Sequence, residues 1–300
     1  MSLINSNTKW VLFLSTSHPE PDERHVLDLV FGLLSLERAG IPPQNISIYV
    51  DGNNRSNIDK LFSLASNYQY SIQPSSSFFS DLNNNTNNNI VMFVTGHGSH
   101  MGIDAPNAIT PHQLLRALKT APVIDKAVVY LGQCFAGVFN YVNAGRNKAD
   151  KHDPEVVFLG ATDLHESLSS STSEQFLNDQ VSWVANLFLL HVFKWISSPS
   201  DIDGDNKHTI MDSYKYAGVM SNMHNKQSKA NGFGQMIHLY ELLKQAETAA
   251  MTSTGNPAQD IKNKLTLQSL ATQYTNLLAV NYVHQECWIL NSIPAQYIEI

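Results

Sequence analysis

Two residue types that together can attack a carbonyl group follow two short apolar segments. Residues 90–94 are followed by His97 and Gly98, and residues 127–131 are followed by Cys134. A thiol becomes a good nucleophile when an imidazole takes its proton, and backbone N–H groups can stabilise the resulting oxyanion. The residue types predict acyl transfer, with Cys134 as nucleophile, His97 as general base and the Gly98 and Cys134 amides as oxyanion hole.

The elements that carry these residues explain why they should meet. Both apolar segments are rich in β-branched and aromatic residues, which is typical of strands buried in a parallel sheet. Between them, Thr110 and Pro111 are suited to begin a helix. Because strand–helix–strand crossovers join parallel strands, His97 and Cys134 are predicted at one carboxyl edge. A structural cysteine and a loop histidine are the alternative interpretation.

The residues around this pair resemble those of a known family. Residues 95–99, Thr-Gly-His-Gly-Ser, and residues 133–137, Gln-Cys-Phe-Ala-Gly, are similar to the histidine and cysteine motifs of caspase-fold cysteine peptidases. Among these, the legumain family of asparaginyl endopeptidases, which includes the catalytic subunit of GPI transamidase, is the most similar. The resemblance covers residues 9–220. It implies an α/β fold, namely a caspase-haemoglobinase-like three-layer sandwich with a mostly parallel central sheet.

The same resemblance implies residues that contact the substrate. Arg24 and His25 match an Arg-His pair that enters the first helix of the family. The arginine is expected to line the pocket for the residue before the scissile bond. Glu166 and Ser167 match the substrate-binding loop that follows the next strand. Asp22, just before this pair, is expected to cap the helix.

Two further positions bear on the specificity pocket. Asp179 approximately matches a pocket carboxylate of the legumains, but it can equally well cap an apolar helix over residues 181–196. The family carries an acidic residue two positions before its nucleophile, whereas this chain has Gly132. Because that acid is missing, we expect Asp to be tolerated before the scissile bond better than in typical legumains.

A second motif, residues 201–212, is typical of a calcium-binding loop of the EF-hand kind. Hard oxygen ligands at alternating positions can wrap one Ca²⁺ ion. The expected ligands are Asp201, Asp203, Asp205, the carbonyl of Lys207, Thr209 and Asp212. Asn206 stands where glycine is usual, and asparagine tolerates the left-handed backbone. The alternative interpretation of residues 201–212 is an acidic turn that binds no metal. Catalysis itself is expected to need no cofactor.

Composition narrows the classes of partner and compartment. The 300 residues are 43% hydrophobic with a formal net charge of −7, which permits a large core and argues against nucleic acid as a partner. Two cysteines cannot build a disulfide framework, and an unpaired Cys287 fits a reducing compartment. The apolar residues 10–14 are too short for a signal peptide or membrane span. We therefore expect an intracellular protein, or one exported by another route.

The domain organisation and function follow from these motifs. We expect a peptidase domain over residues 1–220 and a helical C-terminal extension over residues 221–300. The Ser/Asn-rich residues 75–89 and the polar residues 222–234 predict loops. The expected function is a cysteine endopeptidase that cleaves peptides or proteins after Asn or Asp, with transpeptidation as a related activity. The alternatives are a catalytically silent interaction module of the same fold and a transamidase component.

Overall fold

The computed structural model describes residues 2–147, 149, 152–282 and 285–300. The strands are β1 (Thr8–Leu14), β2 (Ile46–Val50), β3 (Ile72–Gln73), β4 (Asn89–Thr95), β5 (Gly98–Ser99), β6 (Gly102–Ile103), β7 (Lys126–Leu131), β8 (Glu155–Gly160), β9 (Ser169–Gln175), β10 (Gln180–Asn186) and β11 (Trp288–Leu290). The α-helices are α1 (Glu23–Arg38), α2 (Arg55–Phe62), α3 (Ser75–Asn83), α4 (Pro111–Thr120), α5 (Leu187–Ser197), α6 (Ile210–Met251), α7 (Pro257–Tyr282) and α8 (Ser292–Ala295). Within the described residues, no helix has both the length and the apolarity needed to cross a bilayer.

Seven of the described strands form one central sheet, in the order β11–β8–β7–β4–β1–β2–β3. The strands from β8 to β3 pair in parallel, and β11 at the edge runs antiparallel to β8. The strands that precede His97 and Cys134, β4 and β7, are direct neighbours. The predicted α/β fold with a mostly parallel central sheet is therefore confirmed.

Alternating side chains of the sheet enter two hydrophobic cores, one on each face. In β1, Trp10 and Leu12 belong to the core that includes α1 and α5, whereas Val11 and Phe13 belong to the core that includes α3 and α4. Because successive side chains of a strand point to opposite faces, one buried strand contributes to both cores. Helices cover both faces of the sheet, which gives the expected three-layer sandwich.

The chain divides into two compact units, Met1–Asn222 with Gln285–Ile300, and Met223–His284. The second unit is formed by helical residues of α6 and α7. Residues 285–300 were predicted as part of the helical extension but belong to the first unit. There β11 pairs with β8, and Ala295 and Ile298 are buried. The extension beyond residue 220 is thus only partly helical.

Two polar segments that predict loops are helical instead. Helix α3 lies within the Ser/Asn-rich residues 75–89, because Phe78 and Leu82, one turn apart, are buried in the core. Residues 222–234 lie inside α6, which is 42 residues long. Their Asn, Gly and Ser residues are weak helix formers, but these preferences are small and the segment contains no proline to interrupt the helix.

Candidate active site

The carboxyl ends of β4 and β7 bring the two predicted catalytic residues to one edge of the sheet. The strands are paired up to Val94 and Leu131, and the Gly132 amide donates a hydrogen bond of 2.8 Å to the Val94 carbonyl. His97 and Cys134 each lie three residues beyond the last residue through which β4 and β7 pair with each other. Two short segments after neighbouring strands therefore carry the imidazole and the thiol, at the edge where such sheets bind ligands.

The backbone at Gly98 packs directly against the backbone of Cys134. A Cβ atom at residue 98 would overlap the Cys134 carbonyl oxygen and lie 2.6 Å from Gln133 Cγ, so glycine alone fits. The Asp104 amide donates to the His97 carbonyl at 3.1 Å, which puts Gly98 at a non-hydrogen-bonded position of the β5–β6 hairpin. The Gly98 N–H therefore lies outside the hairpin ladder and can serve an oxyanion.

Asp22, which the sequence predicts as a helix cap, lies beside the imidazole of His97. Asp22 precedes α1, but its carboxylate makes no capping hydrogen bond within the described chain, and its Oδ2 lies 3.3 Å from His97 Nε2. Burial by itself would raise the pKa of Asp22, but two neighbouring histidines and Arg24 outweigh it and lower the pKa. A carboxylate at Nε2 orients the ring and leaves Nδ1 as the nitrogen that can take a proton.

His25 lies directly behind His97 and is buried. The two rings meet edge to face with centroids 5.1 Å apart, and His25 is 5% exposed. Its Nδ1 lies 3.4 Å from Thr95 Oγ1 and 3.7 Å from Asp28 Oδ2. Its Nε2 lies 3.9 Å from Asp22 Oδ2 and has no hydrogen-bond partner among the described residues. His25 therefore forms the floor of the site and offers little surface to a substrate.

The buried carboxylate of Asp28 connects three elements around the site. Its Oδ1 accepts hydrogen bonds from Trp183 Nε1 at 2.9 Å and from the Asn186 amide at 3.1 Å. Its Oδ2 accepts a hydrogen bond of 3.0 Å from Thr95 Oγ1. A buried charge is tolerated when several donors satisfy it. Asp28 thus holds α1, β4 and β10 together beneath the histidines.

The loop after β8 contacts the thiol. The Ser167 amide donates to Cys134 Sγ at 3.3 Å, and the Phe135 amide donates to the His165 carbonyl at 2.8 Å. Phe135 has a φ of +54°, a left-handed conformation that costs free energy in a non-glycine residue. The Glu166 side chain is exposed. Of the two residues predicted to bind substrate here, Ser167 is the one placed against the nucleophile.

Arg24 extends from α1 toward the start of β9. Its Nε donates to Asp22 Oδ2 at 3.3 Å, and its Nη1 lies 3.4 Å from Ser169 Oγ. The Arg24 side chain is 34% exposed. A guanidinium that is partly open to solvent beside Asp22 can still donate to a carboxylate or amide oxygen of another molecule.

Asp179 lies far from Arg24. Residues 180–186, predicted as the start of a helix, form β10, and Asp179 is in the exposed turn between β9 and β10. The hairpin pairs Ser169 with Asn186 at the end near Arg24, and its turn lies six residue steps away, about 20 Å at about 3.3 Å per residue. The helix-cap interpretation is wrong, and the structure does not bring Asp179 to the arginine.

The space beside Gly132 is filled by α5 and its cap. A Cβ atom at residue 132 would lie 2.5 Å from Leu189 Cδ1 and 3.0 Å from the Val94 carbonyl oxygen. Asn186 caps α5, and its Nδ2 donates to the Gly132 carbonyl at 2.6 Å and to Ser167 Oγ at 3.1 Å. A larger residue at position 132 therefore requires the Leu189 side chain to move.

The acidic loop places three of its predicted ligands together. Asp201, Asp203 and Asp205 have carboxylate oxygens within 4.8 Å of one another. Asn206 has a φ of +65°, the left-handed conformation expected at the sixth position. The Asn206 amide donates to Asp201, and the Lys207 amide donates to Asp205. The chemistry of this group, carboxylate oxygens in a tight turn, fits a hard cation.

Asp212 has a different role from the other carboxylates of the loop. Its Oδ2 accepts hydrogen bonds from the amide and the hydroxyl of Thr209, at 2.9 and 2.7 Å, and its Oδ1 accepts from the Ile202 amide at 3.0 Å. Burial by itself would raise the pKa of Asp212, but these hydrogen bonds outweigh it and lower the pKa. Thr209 and Asp212 form a capping box at the start of α6, so their oxygens already have partners.

Asp22, Asp28 and Asn186 belong to the site although the sequence does not assign them to it. One signal was available for Asp22, because an Asp three residues before a histidine lies on the same helical face. Asn186 directly precedes a continuous apolar segment, which is typical of a helix cap.

No model of a known protein family matches the chain, and no curated protein matches its sequence.

Proposed function

We propose that this chain is a legumain-type cysteine endopeptidase that cleaves peptides or proteins after Asn or Asp. The observation that carries the proposal is that neighbouring strands bring Cys134 to the same sheet edge as a histidine whose Nε2 faces a carboxylate. The packing of Gly98 against the backbone of Cys134 supports it further, because a substrate carbonyl can then reach both the thiol and an amide.

The proposed reaction begins with transfer of the Cys134 proton to His97 Nδ1, since Nε2 faces Asp22. The sulfur bonds to the scissile carbonyl carbon, and the oxyanion accepts hydrogen bonds from the Gly98 and Cys134 amides. The C–N bond then breaks, and the departing amine takes the proton from the imidazole. Water hydrolyses the thioester with the same base, and an amine in place of water gives transpeptidation.

The proposed specificity rests on Arg24. Its free donors suit the side-chain oxygen of Asp or Asn before the scissile bond. Gly132 has no side chain and Asp179 lies at the far end of its hairpin, so Asp22 is the carboxylate that accompanies the guanidinium. One carboxylate neutralises the guanidinium less than two carboxylates would. An anionic substrate side chain is therefore bound more favourably. We therefore propose that Asp is cleaved at least as well as Asn.

A peptide-library cleavage profile and an electrophilic Asp- or Asn-peptide probe test this function. Cys134→Ala should lower turnover by roughly 10³-fold or more, and the probe should attach to Cys134. Cys287→Ala is the matched control, because burial raises the pKa of the Cys287 thiol to about 12 and keeps it protonated. If wild type neither cleaves nor reacts with the probe, the chain is instead a catalytically silent interaction module.

A further inference from the structure

Three potential metal ligands converge beside the nucleophile. One ligand atom each from Asp22, His25 and His97 lies within 4.8 Å of the others. Asp22 Oδ2 is 3.3 Å from His97 Nε2 and 3.9 Å from His25 Nε2. Two imidazoles and one carboxylate are the donor set that suits zinc and similar transition-metal ions. The acidic loop of residues 201–212 offers oxygen donors alone, which suit Ca²⁺ rather than zinc.

The second observation is the state of His25. Its Nε2 is buried, points into this cluster and has no hydrogen-bond partner among the described residues. A buried ring nitrogen without a partner is unfavourable, so such a group calls for a ligand or an explanation. On the other side of the ring, Nδ1 faces Thr95 Oγ1 and the Asp28 carboxylate. Metal-binding histidines are commonly held by such a contact at the second nitrogen.

The spacing of the three donors is close to that of a zinc site. Bonds of about 2.0–2.2 Å in a tetrahedron separate ligand atoms by roughly 3.4 Å. The Asp22–His97 distance of 3.3 Å already fits, and the Asp22–His25 distance of 3.9 Å needs a shift of about half an ångström. The His97 and Asp22 side chains are 46% and 50% exposed, so an ion can enter from solvent.

We infer that Asp22, His25 and His97 bind Zn²⁺, and that the bound ion reversibly blocks catalysis. The binding site stands on geometry alone, whereas the inhibition rests on the proposed function. With a metal at Nε2, the neutral imidazole keeps its one proton on Nδ1, which then cannot accept the thiol proton. The metal also takes Asp22 away from its contact with the ring. Zinc and catalysis therefore compete for the same two groups.

Zinc affinity of the purified full chain, measured by competition with a chromogenic chelator in excess Ca²⁺, tests the site directly. Wild type should bind one Zn²⁺, and His25→Gln and His97→Gln should each weaken binding by about tenfold or more. His100→Gln removes an exposed histidine outside the cluster and is the matched control. Because His25 is buried, His25→Gln can unfold the protein. In that event the test rests on His97→Gln, since His97 is exposed. Equal affinity in wild type and His97→Gln would overturn the site.

The thiol must also be separated from the cluster as a zinc ligand. Cys134→Ala should keep its zinc affinity within about threefold, because the three proposed ligands remain. A large loss in Cys134→Ala, with His25→Gln unchanged, would assign the zinc to the nucleophile and overturn the inference.

Inhibition is tested with Asp22→Asn, whose amide oxygen can still accept a hydrogen bond from His97. Zinc should inhibit wild-type cleavage, a chelator should restore it, and Asp22→Asn should need about tenfold more zinc for half-inhibition. Zinc binding without any peptide cleavage would leave the metal site standing and refute the proposed function. Cleavage that saturating zinc does not inhibit would support the proposed function and refute the inhibition by zinc.

Discussion

The Asp22 carboxylate lies 3.3 Å from His97 Nε2, and we propose that it acts on the imidazole in the proposed reaction. Asp22→Ala removes the carboxylate that faces the imidazole, so we expect kcat to fall by about 10- to 100-fold with little change in Tm. Asp22→Asn should recover part of this loss, because its side-chain oxygen can still face Nε2.

Steady-state kinetics of both variants provide the measurement for Asp22. Glu23→Gln is the matched control, since it removes the neighbouring acid, which is exposed, in the first turn of α1. Wild-type kcat in Asp22→Ala would show that the carboxylate does not orient the base.

Arg24 determines the residue before the scissile bond in our proposal. Arg24→Ala should lower kcat/KM for Asp and Asn substrates by about 10- to 100-fold, because a desolvated polar side chain then lacks its partner. Asp179→Ala serves as the control and should change neither, since Asp179 lies in the far turn of the β9–β10 hairpin. Cleavage profiling would contradict the assignment if Arg24→Ala kept its preference, or if wild type cut after Lys or Arg.

The common position of His97 and Cys134 could be predicted because each residue follows shortly after a buried strand. The rules for parallel strands then place both residues at the same edge of the sheet. Asp22 occupies the predicted N-cap position, but its side chain faces His97 and makes no capping hydrogen bond. An acid before a helix looks the same in sequence whether its side chain caps the helix or faces a histidine. Only the direction of the side chain distinguishes the two roles, and that direction depends on the tertiary position of His97.

Among the elements, β10 was predicted as part of a helix but is a strand. Val181, Trp183 and Ala185 alternate with polar or exposed residues, as in a strand, but the mostly apolar residues 187–196 follow at once. The two patterns merge in sequence, so the whole segment resembles one helix. The cap Asn186 marks the true boundary between them.

The capping box at the start of α6 contributes stability that depends on pH. Asp212→Ala should lower the free energy of unfolding by about 0.5–2 kcal/mol at neutral pH. The folded-state pKa of Asp212 is lowered, so the contribution is present above the unfolded pKa, about 3.9, and is lost as pH falls through the folded value.

Urea unfolding of wild type and Asp212→Ala at several pH values, with a calcium chelator present, checks this. The difference between the two proteins should shrink below about pH 4. Asp59→Asn, an exposed aspartate on α2, should show no such pattern. A difference that stays constant into acid would mean that the ionised carboxylate is not what stabilises α6.

We also propose that the Asp201, Asp203 and Asp205 group binds Ca²⁺. A ligand that binds the folded state alone raises Tm by mass action. Calcium should therefore raise the wild-type Tm, and the double variant Asp201→Ala, Asp203→Ala should lose that response. Magnesium at equal concentration is the control, because its octahedral geometry fits such loops less well. The same calcium shift in the double variant would mean that the loop is an acidic turn.

For the whole molecule, the first unit is interrupted by the second in sequence. A Cβ atom at Gly218 would lie 2.6 Å from Cys287 Sγ, so the chain leaves and re-enters the first unit at neighbouring positions. Replacing residues 223–284 by a short Gly/Ser linker should therefore keep the fold, because closing a short loop costs little.

Circular dichroism, thermal melts and probe labelling of Cys134 check the linker variant. A chain that ends at residue 222 is the contrasting variant, because it loses β11 and the buried Ile298. We expect it to unfold or aggregate. If the truncated chain folds as well as the linker variant, residues 285–300 are not needed to complete the first unit.

The parallel sheet and its two helical layers followed from local patterns, since each buried strand and amphipathic helix is continuous in sequence. The pairing of β11 with β8 could not be predicted from local patterns, because three residues carry too little periodicity to predict a strand. Its position depends on contacts such as the hydrogen bond of 2.8 Å from Trp288 Nε1 to the Thr162 carbonyl, which join distant parts of the chain.

That late pairing has a consequence during translation. Trp288 follows its partner Gly160 by 128 residues, and at about 5–20 residues per second the ribosome needs roughly 6–26 s to make the intervening chain. For that time the outer edge of β8 has unpaired N–H and C=O groups, which can pair with another nascent chain. A holdase that covers this edge while residues 161–287 are being made would therefore raise the yield of folded protein.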